Sequence, residues 1–212
     1  MLENSDIIFL CIGTPILPKG ESDLTNIKNV CIELRKLIKQ EVVVNIKRTV
    51  NPEDYLEIKN LLNTKNIHLA VNPEFLREGS TLKDVLHPTR ILVGTDDKYS
   101  KKTLKELYSK FESPKIFTNP MSAIITKYAS NSFLAVKISL INEIANICDI
   151  VGASIDDVSL GIGLDPRIGR DYLKAGIGYG GSCLPKDAKN LTRFAEKKFI
   201  KHKYRKSSKH CK

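Results

Sequence analysis

No run in this chain is apolar for the length that a membrane span needs. The apolar "IIFLCIG" near the start is short, and it follows Glu3 and Asp6 where a secretory leader would carry basic residues. Neither a spanning helix nor a signal peptide is expected. C-x-x-C spacing is also missing. The five cysteines, Cys11, Cys31, Cys148, Cys183 and Cys211, are odd in number and scattered. That excludes a secreted disulfide framework and points to a reducing cytoplasm. No metal site is assigned. Acidic residues are lacking from Lys197 onward, where eight Lys or Arg occur. That tail carries most of the formal net charge of +10, and the rest of the chain is nearly neutral. The basic balance therefore belongs to a short run and not to a face of the fold, so nucleic acid is not the expected partner. Internal repeats and low-complexity stretches are absent before the tail.

What is present is a chain of 212 residues with 42% apolar content, enough for one good core or two small ones. Strand-like and helix-like segments alternate over the first 118 residues. "DIIFLCIG" is an apolar run ending at Gly13, Thr14 and Pro15. Leu24, Ile27, Cys31, Leu34 and Ile38 have helical spacing. "EVVVNI" is a β-branched run. Asn51 and Pro52 read as the N-cap and first residue of a helix to Asn63. "IHLAVNP", "RILVG" and "KIFTN" read as strands, and Tyr99 to Phe111 as a helix. This rhythm predicts a Rossmann-like α/β domain with a parallel sheet over residues 1–118.

The pattern changes at Asn119. Asn119 can cap and Pro120 can start a helix that no Gly or Pro interrupts before Val151. Shorter helices are expected over Ser154–Leu160, Arg167–Lys174 and Pro185–Lys198. Residues 119–198 thus form a helical domain built on one long central helix, and 199–212 a basic, disordered tail.

The segment "AGIGYGGSCLPKD" contains G-x-G-x-x-G at Gly176, Gly178 and Gly181. A dinucleotide fingerprint should follow a strand and have an acid about 20 residues on. Here the preceding "RIGRDYLKA" is not strand-like, and no acid follows Glu196. Four glycines in six residues instead admit a ligand close to the backbone. Pro185 suits a first helical turn, which places Cys183 at a helix N-terminus, a position that favours a reactive thiolate. Lys186 adds positive charge, and Asp187 offers a carboxylate. A small buried cysteine behind a glycine turn is an equal reading of the spacing alone.

"GYGGSCLPKD" resembles the catalytic cysteine motif of the UDP-glucose/GDP-mannose dehydrogenase family. "NPEFLREGSTLKD" at 72–84, "TKYASNSFLAVKISLINEIA" at 126–145 and "GLDPRIGRDYLKAG" at 163–176 agree with it in order. The "DPRIG" form is similar to members that oxidise UDP-glucose. The resemblance covers residues 5 to 196. It implies two NAD-dependent oxidations of a primary alcohol to a carboxylate, giving UDP-glucuronate from UDP-glucose by way of a cysteine thiohemiacetal and thioester.

The resemblance also implies roles for individual residues. Cys183 is the nucleophile. Lys127 and Asn131 surround the reacting oxygen, and Asp187 with water takes the alcohol proton. Glu74 assists thioester hydrolysis. Glu78, Lys186, Gly13, Thr14 and Pro15 lie on the cofactor side. Thr49 lies near the cofactor and the catalytic water, although "KRTVNP" stands where a "KST-V/I-P" pattern is common. Glu74, Phe75, Leu76, Arg77, Lys127, Asn131, Tyr172, Lys174 and Gly180 line the nucleotide-sugar site. Arg167 reaches a neighbouring subunit's substrate in a homodimer built on the long helix.

A full member of the family carries a true G-x-G-x-x-G turn and a ribose-binding acid upstream, and a second α/β domain downstream. The chain is therefore expected to be a fragment with little or no turnover alone. Two further readings stay open. One is a dehydrogenase of another nucleotide sugar, a UDP-N-acetyl-hexosamine or GDP-mannose. The other is a non-catalytic remnant that only dimerises.

Overall fold

The computed structural model describes residues 5–15 and 23–198. The expected tail at 199–212 lies outside the described residues, as does Cys211. The chain divides into two compact units, residues 1–127 and 128–212.

Among the described residues, unit 1 holds a five-stranded sheet in the order β1-β2-β3-β4-β5. The strands are β1 (Ile7–Leu10), β2 (Val42–Ile46), β3 (Ile67–Val71), β4 (Ile91–Gly94) and β5 (Lys115–Thr118). Helices α1 (Thr25–Leu37) and α2 (Pro52–Leu61) connect the first three strands, which run parallel. α1 and α2 pack against each other, as the right-handed rule for parallel crossovers leads one to expect when both step the same way along the sheet. α1 buries Ile27, Cys31 and Leu34, and α2 buries Tyr55 and Ile58. Helix α4 (Lys98–Leu107) joins β4 to β5, and Leu104 packs against Val43, Ala70, Ile91 and Val93. Every residue of β2 is buried, as a central strand between two covered faces requires.

Local signals act where the sequence places them. Asn51 and Asp54 form a reciprocal capping box at the start of α2, with Pro52 at the first turn. Asp97 accepts from the Ser100 amide at 2.6 Å to cap α4.

The sheet is not wholly parallel. β3 and β4 pair antiparallel, through the single register pair Val71 and Gly94. Only a six-residue helix, α3 (Thr81–Leu86), stands between them, too short to cross back over the sheet. Side chains complete this junction. Asn72 Nδ2 donates to the Leu92 carbonyl at 2.7 Å, and Thr95 Oγ1 donates to the Leu69 carbonyl at 3.0 Å. The periodicity of "STLKD" is too brief to announce α3, and the strand-like segments carry no direction.

After β5, Asn119 Oδ1 accepts from the Ser122 amide at 2.8 Å and starts α5 (Pro120–Val151), 32 residues or about 48 Å. The first two turns of α5 belong to unit 1. They lie so close to β4 that a Cβ on Gly94 would sit 2.6 Å from Ala123 Cβ and 2.8 Å from Pro120 Cα.

Unit 2 holds the rest of α5, then α6 (Ile155–Gly163) and α7 (Leu184–Lys197). Ser154 Oγ accepts from the Asp157 amide at 3.2 Å to cap α6. The expected helix over Arg167–Lys174 is absent; the segment is a series of turns. Gly169 and Tyr172 adopt positive φ angles of 71° and 63°, which a right-handed helix cannot contain. Side chains of α5 and α6 take over its backbone groups. Lys137 donates to the Ile168 and Gly169 carbonyls, and Ser159 donates to the Leu173 carbonyl at 2.6 Å.

Gly94→Ala should destabilise the chain by on the order of 3 kcal/mol, because both obstructing groups are backbone or Cβ atoms of the α5 start. Urea unfolding measures this; an unchanged midpoint would show that β4 and α5 are not held at this distance.

Candidate active site

The described part of unit 1 gathers several expected residues at the C-terminal ends of its strands, where open α/β sheets bind ligands. Gly13, Thr14 and Pro15 follow β1. Thr14 is buried, and among the described residues, its chain neighbours aside, Gly13 has no heavy atom within 4 Å of where a Cβ would stand. Thr49 lies three residues beyond β2 and is half-buried.

Glu74 follows β3 and meets Lys127 of α5. Lys127 is buried, with its side chain 5% exposed. Its Nζ donates to the Glu74 carbonyl at 2.5 Å and lies 3.6 Å from the Glu74 carboxylate. The same carboxylate accepts from the Leu76 amide at 2.8 Å. Phe75 lies under two cations, with the Arg90 guanidinium 3.7 Å and Lys127 Nζ 5.1 Å from its ring centre. Arg77 pairs with Asp84 of α3 through its side chain and its backbone amide. These bonds hold the Asp84 carboxyl below the usual carboxylate range. The turn 74–77 is thus pinned residue by residue. Leu76, Arg77 and Glu78 are exposed.

Unit 2 gathers the others. Cys183 is the N-cap of α7, exposed, and its Sγ lies 3.5 Å from Ser182 Oγ. Pro185 occupies the first turn. The loop before it needs its glycines: Gly178 and Gly181 have φ angles of 108° and 77°. No strand precedes this loop, so it is not a dinucleotide fingerprint. One turn into α7, Asp187 is 1% exposed. It accepts from Asn131 Nδ2 of α5 at 2.6 Å, and Lys186 Nζ lies 3.7 Å from its other oxygen. The site residues here are a thiol at a positive helix end and a buried carboxylate fixed by an amide donor.

Arg167 is exposed and forks onto Asp165, with its Nη2 at 2.6 Å from the carboxylate. That contact holds the Asp165 carboxyl below its ordinary value. Tyr172 is half-buried, and Lys174 and Gly180 are exposed.

Residues 1–112 match the NAD binding domain of the UDP-glucose/GDP-mannose dehydrogenase family, and residues 121–211 match its central domain. The chain belongs to this family. It is 47% identical over 200 residues to a UDP-glucose 6-dehydrogenase of Bacillus subtilis, covering 92% of this chain and 45% of that protein. A UDP-glucose 6-dehydrogenase of Rickettsia prowazekii is 43% identical over 209 residues, covering 96% and 48%. Among solved structures, a UDP-glucose dehydrogenase from Pyrobaculum islandicum superposes with a TM-score of 0.89 at 35% identity, over 97% of this chain and 50% of that one. A GDP-mannose dehydrogenase from Pseudomonas aeruginosa gives 0.71 at 32% identity, over 94% and 49%. The chain spans about half the length of the curated relatives it matches. Among the described residues, no helix is long and apolar enough to cross a membrane, and no group of acidic, His and Cys side chains could hold a metal ion.

The sequence reading missed Asn72, with Lys47 and Tyr108 bonded to it, and Arg90, which covers the Phe75 ring. Asn72 opens the quoted "NPEF" motif, and an asparagine at a strand end followed by proline was the available signal.

Iodoacetamide should label Cys11 and Cys183 in the folded chain, because both are exposed, while Cys31 and Cys148 react only after denaturation. Peptide mass mapping before and after urea decides it; rapid labelling of Cys31, or protection of Cys183, would contradict the placement.

Proposed function

We propose that the chain supplies the catalytic residues for NAD-dependent oxidation of UDP-glucose to UDP-glucuronate. The observation that carries this reading is Cys183 at the open N-terminus of α7, one turn from the buried Asp187 that Asn131 holds. The sugar nucleotide is supported by relatives named UDP-glucose 6-dehydrogenase at 40–47% identity. Residues 1–118 serve the cofactor, and 119–198 carry the nucleophile.

Gly13, Thr14, Pro15, Thr49, Glu78 and Lys186 would hold NAD, which would supply a hydride acceptor for the sugar's C6, one NAD for each of the two oxidations. Asp187, through a water, takes the proton of the C6 hydroxyl. Cys183 Sγ adds to the resulting aldehyde carbon, forming a C–S bond and keeping the aldehyde on the chain. Lys127 and Asn131 lie one turn apart on α5 and stabilise the oxygen as it gains negative charge. Loss of the second hydride leaves a thioester. Glu74 then orients water for its hydrolysis, the C–S bond breaks, and the carboxylate departs while Cys183 returns to thiolate. Phe75, Leu76, Arg77, Tyr172, Lys174 and Gly180 position the nucleotide sugar.

The partner we propose is a second copy of the chain. On α5, Phe133, Leu140 and Ile147 recur every seventh residue, and they are 64%, 54% and 54% exposed. Ile150 and Val151 extend the apolar stripe. Such a seam suits packing against an identical helix. In that dimer Arg167 serves the neighbouring subunit's substrate.

Two experiments test the reading. In a chimera joining this chain to the unmatched portion of the Bacillus subtilis relative, Cys183→Ala should reduce UDP-glucose-dependent NADH formation by about 10³-fold or more. Unchanged turnover removes Cys183 from its role, and preference for a UDP-N-acetyl-hexosamine or GDP-mannose reassigns the sugar. Sedimentation of the 212-residue chain should show a dimer that Leu140→Glu with Ile147→Glu converts to monomer; a monomeric parent chain contradicts the seam.

A further inference from the structure

Asn72 is the first residue past β3 and lies two before Glu74. It is 2% exposed, and every polar atom of its side chain is used. Its Oδ1 accepts from Lys47 Nζ at 2.9 Å, from the Tyr108 hydroxyl in a short bond, and from Asn45 Nδ2 at 3.4 Å. Its Nδ2 donates to the Leu92 carbonyl at 2.7 Å, and its backbone amide donates to the Ile46 carbonyl at 2.8 Å. A flipped amide would turn its NH2 toward an ammonium and a hydroxyl donor and lose the Leu92 bond, so one orientation is fixed. Pro73 follows, buried and with its φ locked. Glu74 therefore leaves a rigid base.

Lys47 does more than donate one bond. Burial holds its ammonium below the ordinary lysine range, while the Glu74 carboxylate pulls the other way. A neutral donor could satisfy Asn72 at lower desolvation cost. The charge makes sense if it also acts on Glu74, which then lies in the field of two lysines, Lys47 and Lys127. Tyr108 reinforces the arrangement: burial pushes its phenol up to about 12, so it stays a hydroxyl donor to Asn72.

We infer that Lys47 is a positioning residue, which with Asn72 and Tyr108 fixes the Asn72–Pro73–Glu74 segment and so the place of the Glu74 carboxylate. The inference deepens the proposed function, because it rests on Glu74 as the residue that assists thioester hydrolysis.

The test uses the 212-residue chain without cofactor. Cys183 is acetylated with p-nitrophenyl acetate, and loss of the acetyl group is followed by peptide mass mapping. Glu74→Gln should slow deacetylation by about 10²-fold. Lys47→Met should slow it by about tenfold, the scale of one charged hydrogen bond, and Tyr108→Phe by a smaller factor. Hydrogen exchange at the Leu76 and Arg77 amides should quicken in Lys47→Met, with α2 amides unchanged. Normal deacetylation in Lys47→Met beside slow Glu74→Gln overturns this inference alone. Normal deacetylation in Glu74→Gln overturns the hydrolytic role of Glu74, and the exchange measurement then judges the positioning by itself: unchanged Leu76 exchange overturns it. If Lys47→Met does not fold, Tyr108→Phe carries both measurements with the same outcomes.

Discussion

The buried ammonium of Lys127 is the constraint around which unit 1 is arranged. A lysine with its side chain 5% exposed must be paired or lose its charge. Here the Glu74 carbonyl and carboxylate both face it. Satisfying that charge forces the turn after β3 to approach the first two turns of α5. The close seat of α5 on Gly94 is the steric counterpart of the same requirement. Removing either partner would leave a charge in a desolvated place, which is why a lysine and a carboxylate here serve the turn's geometry as well as any chemistry.

The same turn explains the sheet's departure from a uniform parallel order. Residues 72–90 must supply the Lys127 partner, a cation contact to Phe75 and an anchor for Arg77, and they leave room for only the short α3. A full crossover helix would carry these side chains away from the strand end. With one antiparallel register pair, β3 and β4 are joined chiefly by Asn72 and Thr95 reaching across to backbone carbonyls. Polar side chains at this junction thus replace part of the backbone ladder.

Much of the fold was legible because its signals are local. Asn51, Asn119 and Ser154 each cap the helix that follows them, and the break-free run after Pro120 is one helix. What was not legible depends on distant partners. "RIGRDYLKA" has helical character, yet Lys137, Ser159 and Asn142 bind the backbone of that region, and Tyr172 accepts a positive φ. Strand direction at β4 likewise follows from where the 72–90 turn is anchored. The cysteine's place at the α7 N-cap was readable from Pro185, whereas the buried hub beneath Glu74 was not. Asn45 and Lys47 are neighbours at the end of β2, but Asn72 lies 27 residues beyond Asn45 and Tyr108 a further 36, with no pattern that links them.

The glycine segment shows how pattern and geometry part. Gly176, Gly178 and Gly181 satisfy a phosphate-binding spacing, but the strand that would aim such a loop is absent. Gly178 and Gly181 instead supply two left-handed turns, and Gly176 gives its amide to Asn142 of α5 at 2.8 Å. The loop is thereby tied at one end to α5 and at the other runs into the first turn of α7. Cys183 itself has helical φ and ψ and caps without a side-chain bond, so its sulfur is not spent on satisfying the helix. A serine, threonine or aspartate would be the stabilising choice at that position. A cysteine there forgoes the cap, and an exposed thiol at an uncapped helix start is the local sacrifice of stability that a functional residue explains.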